Sequence, residues 1–208
     1  MKRFLLSLTL LLTSAGIAFA QSVTVNKIWL EKDVTLNSKL GMKIHFFMQT
    51  DGLKDVPMSA IVYFDEPKGV GVKDTDGRWC TTSGTVAIWA DFTPTYESSV
   101  WDDYWFFTAY EDLHIKDYSK TYYCHVFIFD KQGKQYGNTD YVAFQVKKNE
   151  GNLIALILIQ GTSDLQYRNH AGSVVVGIAL IGRACHHQNQ RAKIDDVESH
   201  KAQERIIR

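Results

Sequence analysis

The segment GMKIHFFMQT, residues 41–50, places Met42, Ile44, Phe46 and Met48 at every second position, with Lys43, His45, Phe47 and Gln49 between them. Successive side chains on a strand point to opposite faces, whereas a helix repeats its apolar stripe every three to four residues. A period of two therefore predicts a half-buried strand here. Similar short runs follow in order around it: VTVNKIWLE, MSAIVYFDE, TVAIWADFT, DYWFFTAY, TYYCHVFIFD and YVAFQVKK. They are rich in β-branched and aromatic residues, which fit a pleated surface. The joints carry turn chemistry at Asp51-Gly52, Asp76-Gly77, Ser83-Gly84 and Gln132-Gly133. DKQGKQ reads as a short hairpin connection. About seven short strands without a long helical period predict an all-β fold, a two-sheet antiparallel, immunoglobulin-like sandwich.

Composition places the limits of that domain. All five tryptophans and nine of the ten tyrosines fall within residues 21–148; residues 149–208 hold one tyrosine and no Phe, Trp or Pro. The shift near KKNEGN marks a boundary between a sandwich at 21–148 and a C-terminal extension at 149–208, expected to be helical or poorly ordered. Before the sandwich, Lys2 and Arg3 precede the apolar run Phe4–Leu12, and Ala18-Phe19-Ala20 supplies a small-x-small cleavage site. Residues 1–20 thus read as a signal peptide, and the chain as an exported, periplasmic or secreted protein. No other stretch is long and apolar enough to predict a transmembrane anchor. Without Lys2 and Arg3 the chain carries 21 basic against 23 acidic residues, so no nucleic-acid footprint is expected.

Three cysteines follow: Cys80, Cys124 and Cys185. Cys80 and Cys124 both lie in strand-like sequence and are the candidate pair for a disulfide, which the exported compartment permits.

The stretch SSVWDDYWFFTAYEDLHI, residues 98–115, gathers aromatics, carboxylates and a histidine. If DYWFFTAY is extended, Tyr104, Phe106 and Thr108 share one face and Trp105, Phe107 and Ala109 the other. Asp102 and Asp103 then precede the strand's apolar run, and Glu111, Asp112 and His114 follow it. That separation is about 25 Å from the usual rise per residue, too far for the paired carboxyls of a glycosidase. The simpler reading caps the strand with acids and plugs Leu113 and Ile115 into the core.

Other motifs dissolve on inspection. DTDG at 74–77 opens like a calcium loop, but Thr85 stands where the twelfth-position glutamate belongs, so a turn is expected. GVGV at 69–72 lacks the third glycine of a dinucleotide site. In the tail, His170, Cys185, His186, His187 and His200 lack zinc-ligand spacing. No catalytic residue, metal or cofactor is expected.

KIWLEKDV, GMKIHF, VYF, KDTDGRW, TTSGTV, DFTPTY and YEDLHI occur in that order. Together they resemble an exported β-sandwich domain family of gut Bacteroidetes, over roughly residues 26–146. In that family the domain often sits beside peptidase-like or helical-repeat modules. The resemblance implies fold and compartment, with no biochemical activity attached to the family and no catalytic residue carried over. The tail lies outside the pattern.

The expected function is a non-enzymatic binding module of the bacterial cell envelope, with an envelope protein as partner. The alternative is a glycan-binding module that stacks sugars on exposed aromatics. Trp79, Trp89, Trp101 and Trp105 are the candidate ligand-binding residues for such stacking.

Overall fold

The computed structural model describes residues 20–148, together with the backbone of 154–158 and 205–206. The leader, and the histidines and Cys185 of the tail, lie outside the described residues. The fold is the expected two-sheet antiparallel sandwich. Sheet A contains β1 (Ser22–Leu36), β2 (Lys39–Asp51) and β6 (Ser98–Ala109), in the order β1-β2-β6. Sheet B is built on β3 (Met58–Glu66) and β7 (Tyr122–Asp130), which pair with each other. β4 (Val70–Gly71) and β5 (Ala87–Phe92) flank β3, while β8 (Gln135–Asn138) and β9 (Val142–Lys148) flank β7. Through β9 the chain thus crosses between sheets after β2, β5 and β6. Where the extension is described it is strand rather than helix: β10 (Ile154–Leu158) pairs with β9, and β11 (Arg205–Ile206) pairs with β6. Sheet B therefore continues past the compositional boundary at 148.

The core lies between the sheets and follows the period of two. Met42, Ile44, Phe46 and Met48 of β2 are completely buried. They meet Ala60, Val62 and Phe64 of β3, Val126 and Ile128 of β7 and Phe144 of β9 in one cluster. Burying each large apolar side chain contributes roughly 1.5–3 kcal/mol. Tyr104, Phe106 and Thr108 of β6 also face inward, and Trp105 and Phe107 outward, as the alternation predicts.

Three β-bulges interrupt that regularity in sheet A, and the β7–β8 pairing of sheet B shifts register between Ile128 and Phe129. Two lie in β1, where the register slips between Asn26 and Trp29 and again between Glu31 and Val34. Each contains a residue of positive φ, Lys27 at 53° and Asp33 at 57°. The Tyr110 hydroxyl fastens the second bulge, accepting the Asp33 N–H at 2.9 Å and donating to Asp33 Oδ1 at 3.0 Å. Burial pushes this phenol's pKa up, which keeps it a donor. The third bulge is in β6: Phe46 pairs with Tyr104 but Met48 pairs with Trp101. The extra residue sits at Asp102–Asp103, so these acids lie inside the strand rather than at its start.

The expected turns fall where the sequence places them, with Asp130–Lys134 closing the β7–β8 hairpin. The β1–β2 hairpin turns on Asn37 and Ser38, both of positive φ, the backbone that a two-residue loop between twisted strands requires. Gly41 of β2 pairs with Ala109 of β6. A Cβ there would lie 2.1 Å from the Thr108 carbonyl oxygen and 2.8 Å from the Ala109 Cα. Neither backbone atom can move without disrupting the ladder. Gly41→Ala should therefore destabilise the fold by about 3 kcal/mol, the upper range for overpacking, measured by urea unfolding. A loss below about 0.5 kcal/mol would contradict this packing.

Candidate functional site

In a two-sheet sandwich the inward faces form the core and the outward faces meet solvent. Here both outward faces carry aromatic residues, and the two surfaces differ in chemistry.

On sheet B, strand pairing aligns side chains in rows. Ile61 of β3 is opposite both Trp89 of β5 and Phe127 of β7; the next row holds Ala87, Tyr63 and His125, and the row on the other side holds Asp91, Ser59 and Phe129. Ile61, Ala87 and Phe129 are buried beneath Tyr63, Trp89 and Phe127, forming an apolar cluster separate from the main core. Tyr63 and Phe127 meet edge to face at 5.7 Å. One end of the face is polar: Ser59 Oγ donates to Asp91 Oδ1 at 2.7 Å, and Lys131 Nζ lies 2.6 Å from the same carboxylate.

At the other end, His125 and Asp65 are both buried, with Nδ1 and Oδ2 3.4 Å apart. The imidazole lies against Tyr63, Phe127 and Tyr141. Burial pushes Asp65 up from 3.8 to about 6 and His125 down from 6.5 to about 3, because low-dielectric surroundings disfavour the charged form of each.

Sheet A's outer face is mixed. Trp29 of β1 and Trp105 of β6 flank His45 of β2 in one row; Glu31, Lys43 and Phe107 form the next. Trp29 stacks on the imidazole at 5.2 Å with planes 10° apart and is itself 40% exposed. His45 Nδ1 lies 2.6 Å from Asp103 Oδ1, and Nε2 lies 3.3 Å from Glu31 Oε2. Lys43 Nζ sits 4.5 Å above the Trp105 ring, within cation–π range. The Asp103–His45 contact has two members of a hydrolytic triad, but the second ring nitrogen faces a carboxylate where a nucleophile would belong.

The four candidate tryptophans therefore part company. Trp105 lies half-buried on sheet A's outer face and Trp89 on sheet B's. Trp79 meets Trp89 edge to face at 6.4 Å while packing against the core. Trp101 is 2% exposed and contacts Phe92 and Tyr104. It belongs to the core and cannot serve as a ligand platform, because the β6 bulge turns it inward. Trp29 is the aromatic that the sequence reading missed. Its row partner on β2 is His45, which alternates in sequence with the buried Ile44 and Phe46.

Cys80 and Cys124 are not joined by a disulfide. Cys80 bridges Val86, which leads into β5; β5 pairs with β3, and β3 with β7, where Cys124 faces the core. At least two strand spacings of about 4.8 Å intervene, more than the roughly 7 Å that a disulfide can span between Cα atoms. Burial raises the pKa of the Cys124 thiol, which suits packing rather than nucleophilic chemistry. Glu111 and Asp112 meet Lys39, at 2.7 and 3.5 Å. Leu113 and Ile115 are buried as expected.

No protein-family model matches the chain, and no curated protein matches its sequence. Among the described residues, no helix is long and apolar enough to cross a membrane.

The buried Asp65–His125 pair predicts a pH signature. The folded state keeps a proton on Asp65 that the unfolded chain releases, so this contribution is complete below about pH 4 and is lost as pH rises through 6. Folded His125 stays neutral while the unfolded chain takes up a proton below 6.5, so its contribution is complete above 6.5 and is lost as pH falls towards 3. Between pH 4 and 6 the two oppose each other. Asp65→Asn should leave the histidine unopposed and make stability fall by about 1 kcal/mol per pH unit from 6 to 4. Urea titrations of both proteins at each pH test this; parallel pH profiles would refute it.

Proposed function

We propose that the protein is a non-enzymatic, exported binding module of the bacterial cell envelope, and that it holds another protein on the outer face of sheet B. The observation that carries this reading is the apolar row Trp89–Ile61–Phe127 with Tyr63 and Phe129 around it, on a face turned away from the core. Outward sheet positions are ordinarily polar. An apolar, aromatic centre with the Ser59–Asp91–Lys131 cluster at its margin has the anatomy of a protein interface. Export rests on the leader, and the envelope assignment on the resemblance to the Bacteroidetes sandwich family.

A second reading, a glycan-binding module, draws support from sheet A. There the exposed Trp29 ring lies flat on His45, with Glu31 and Asp103 at hand as hydrogen-bond acceptors. A planar ring beside carboxylates is the arrangement on which a sugar face stacks while its hydroxyls donate.

A photo-crosslinking side chain at position 89 or 127 should capture a discrete envelope protein in cells, and the same group at position 29 should not. Trp89→Ala should weaken capture of that protein about 30-fold, the scale of an interface hot spot. A glycan-array signal from the mature protein that Trp29→Ala abolishes and Trp89→Ala leaves intact would overturn the protein-binding reading in favour of the glycan one.

A further inference from the structure

The loop between β4 and β5 and the 3₁₀ turn after β6, Tyr110–Leu113, come from different sheets and meet at one place. There Asp74, Asp76 and His114 each present a ligand-type atom, all within 4.8 Å of one another. We propose that these three residues bind a single divalent transition-metal ion of the zinc class.

The first argument is spacing. His114 Nε2 lies 3.0 Å from Asp74 Oδ1 and 3.4 Å from Asp76 Oδ1. Nitrogen and oxygen ligands sit about 2.0–2.1 Å from zinc, so two ligand atoms on a tetrahedral ion stand about 3.3 Å apart. The observed separations match the edges of that tetrahedron. Three protein ligands leave a fourth position for water or another ligand.

The second argument is an unsatisfied buried group. The Asp74 side chain is only 1% exposed, and its Oδ2 has no hydrogen-bond partner. His114 Nε2 is likewise buried, and its approach to Asp74 lacks hydrogen-bond geometry. A buried carboxylate oxygen and a buried ring nitrogen without partners are costly, and a bound cation would satisfy both.

The third argument is orientation. His114 Nδ1 lies 3.1 Å from Thr75 Oγ1. Donation from Nδ1 to that hydroxyl leaves the Nε2 lone pair facing the two aspartates, as metal-ligating histidines are held by their other nitrogen. Asp76 is held in turn by the Arg78 N–H at 3.0 Å, and Asp74 Oδ1 accepts the Asp76 N–H at 3.2 Å. His114 itself adopts a left-handed backbone, φ 52°, between the buried Leu113 and Ile115. One imidazole among carboxylates favours zinc or manganese over calcium, which prefers an all-oxygen shell.

The test uses the full-length chain, stripped with EDTA and dialysed, then titrated with ZnCl2, MnCl2 and CaCl2 in a calorimeter. Binding of one equivalent of zinc is expected. Zinc at a hundredfold excess over Kd should raise Tm by about 5–10 °C. Cobalt substitution should give tetrahedral d–d absorption without a thiolate charge-transfer band, which separates this site from the tail cysteine and histidines. His114→Asn keeps a residue tolerant of the left-handed backbone and should weaken zinc binding about a hundredfold or more, the scale of losing a ligand or its support. Asp76→Asn, at an exposed turn, supplies a second variant if the first does not fold, and should weaken binding at least about tenfold. The absence of a zinc-dependent Tm shift would overturn the proposal. Unchanged zinc affinity in the folded variants, a thiolate band with cobalt, or calcium bound in preference to zinc would overturn it equally.

Discussion

The extra residue in β6 decides where the rest of this sandwich can go. Strict alternation backwards from the buried Tyr104 would point Asp102 into the core and Trp101 into solvent. The bulge at Asp102–Asp103 reverses that outcome: Trp101 packs between Phe92 and Tyr104, and both aspartates are exposed. Burying one unpaired carboxylate would cost several kcal/mol, so a local break in the ladder is the cheaper solution. The same bulge brings Asp103 within 2.6 Å of His45. One backbone irregularity thus completes the core on one side of sheet A and organises the polar face on the other.

The bulges of β1 act at the sheet's edge. A long, flat edge strand invites pairing with other chains. Lys27 and Asp33 interrupt β1 twice, and Tyr110 fastens the second interruption in place. That arrangement disfavours strand addition along β1. The two faces offer different chemistry, since sheet B has an apolar row with a polar margin and sheet A has charged groups interleaved with rings. This difference in chemistry is what the protein-binding proposal for sheet B and the glycan reading for sheet A each draw on.

Much of this was legible in the residues. The period of two in Met42–Met48 defines β2 and its buried face, and the glycine-bearing joints mark the connections. The alternation of Tyr104, Phe106 and Thr108 against Trp105 and Phe107 also holds. What remained hidden depends on register or on contacts distant in sequence. Neither NKIW nor WDDY announces a bulge, so Trp101 stood among the surface candidates and Trp29 did not. Asp65 and His125 lie on neighbouring strands far apart in the chain, whereas Cys80 and Cys124, also far apart in the chain, have other strands between them. Only the pairing order shows that the first two meet and the second two do not. DTDG read correctly as a turn, yet its meeting with His114 depends on a crossover between sheets that no local pattern encodes.

The β6 register makes Trp101 a core residue and leaves the other tryptophans at or near the two outer faces. Hydroxyl-radical footprinting of the folded protein, read by mass spectrometry for each tryptophan, tests this directly. Trp29 should be modified fastest, Trp79, Trp89 and Trp105 at intermediate rates, and Trp101 slowest by a wide margin. Modification of Trp101 as rapid as that of Trp29 would place it at the surface and contradict the register on which both faces depend.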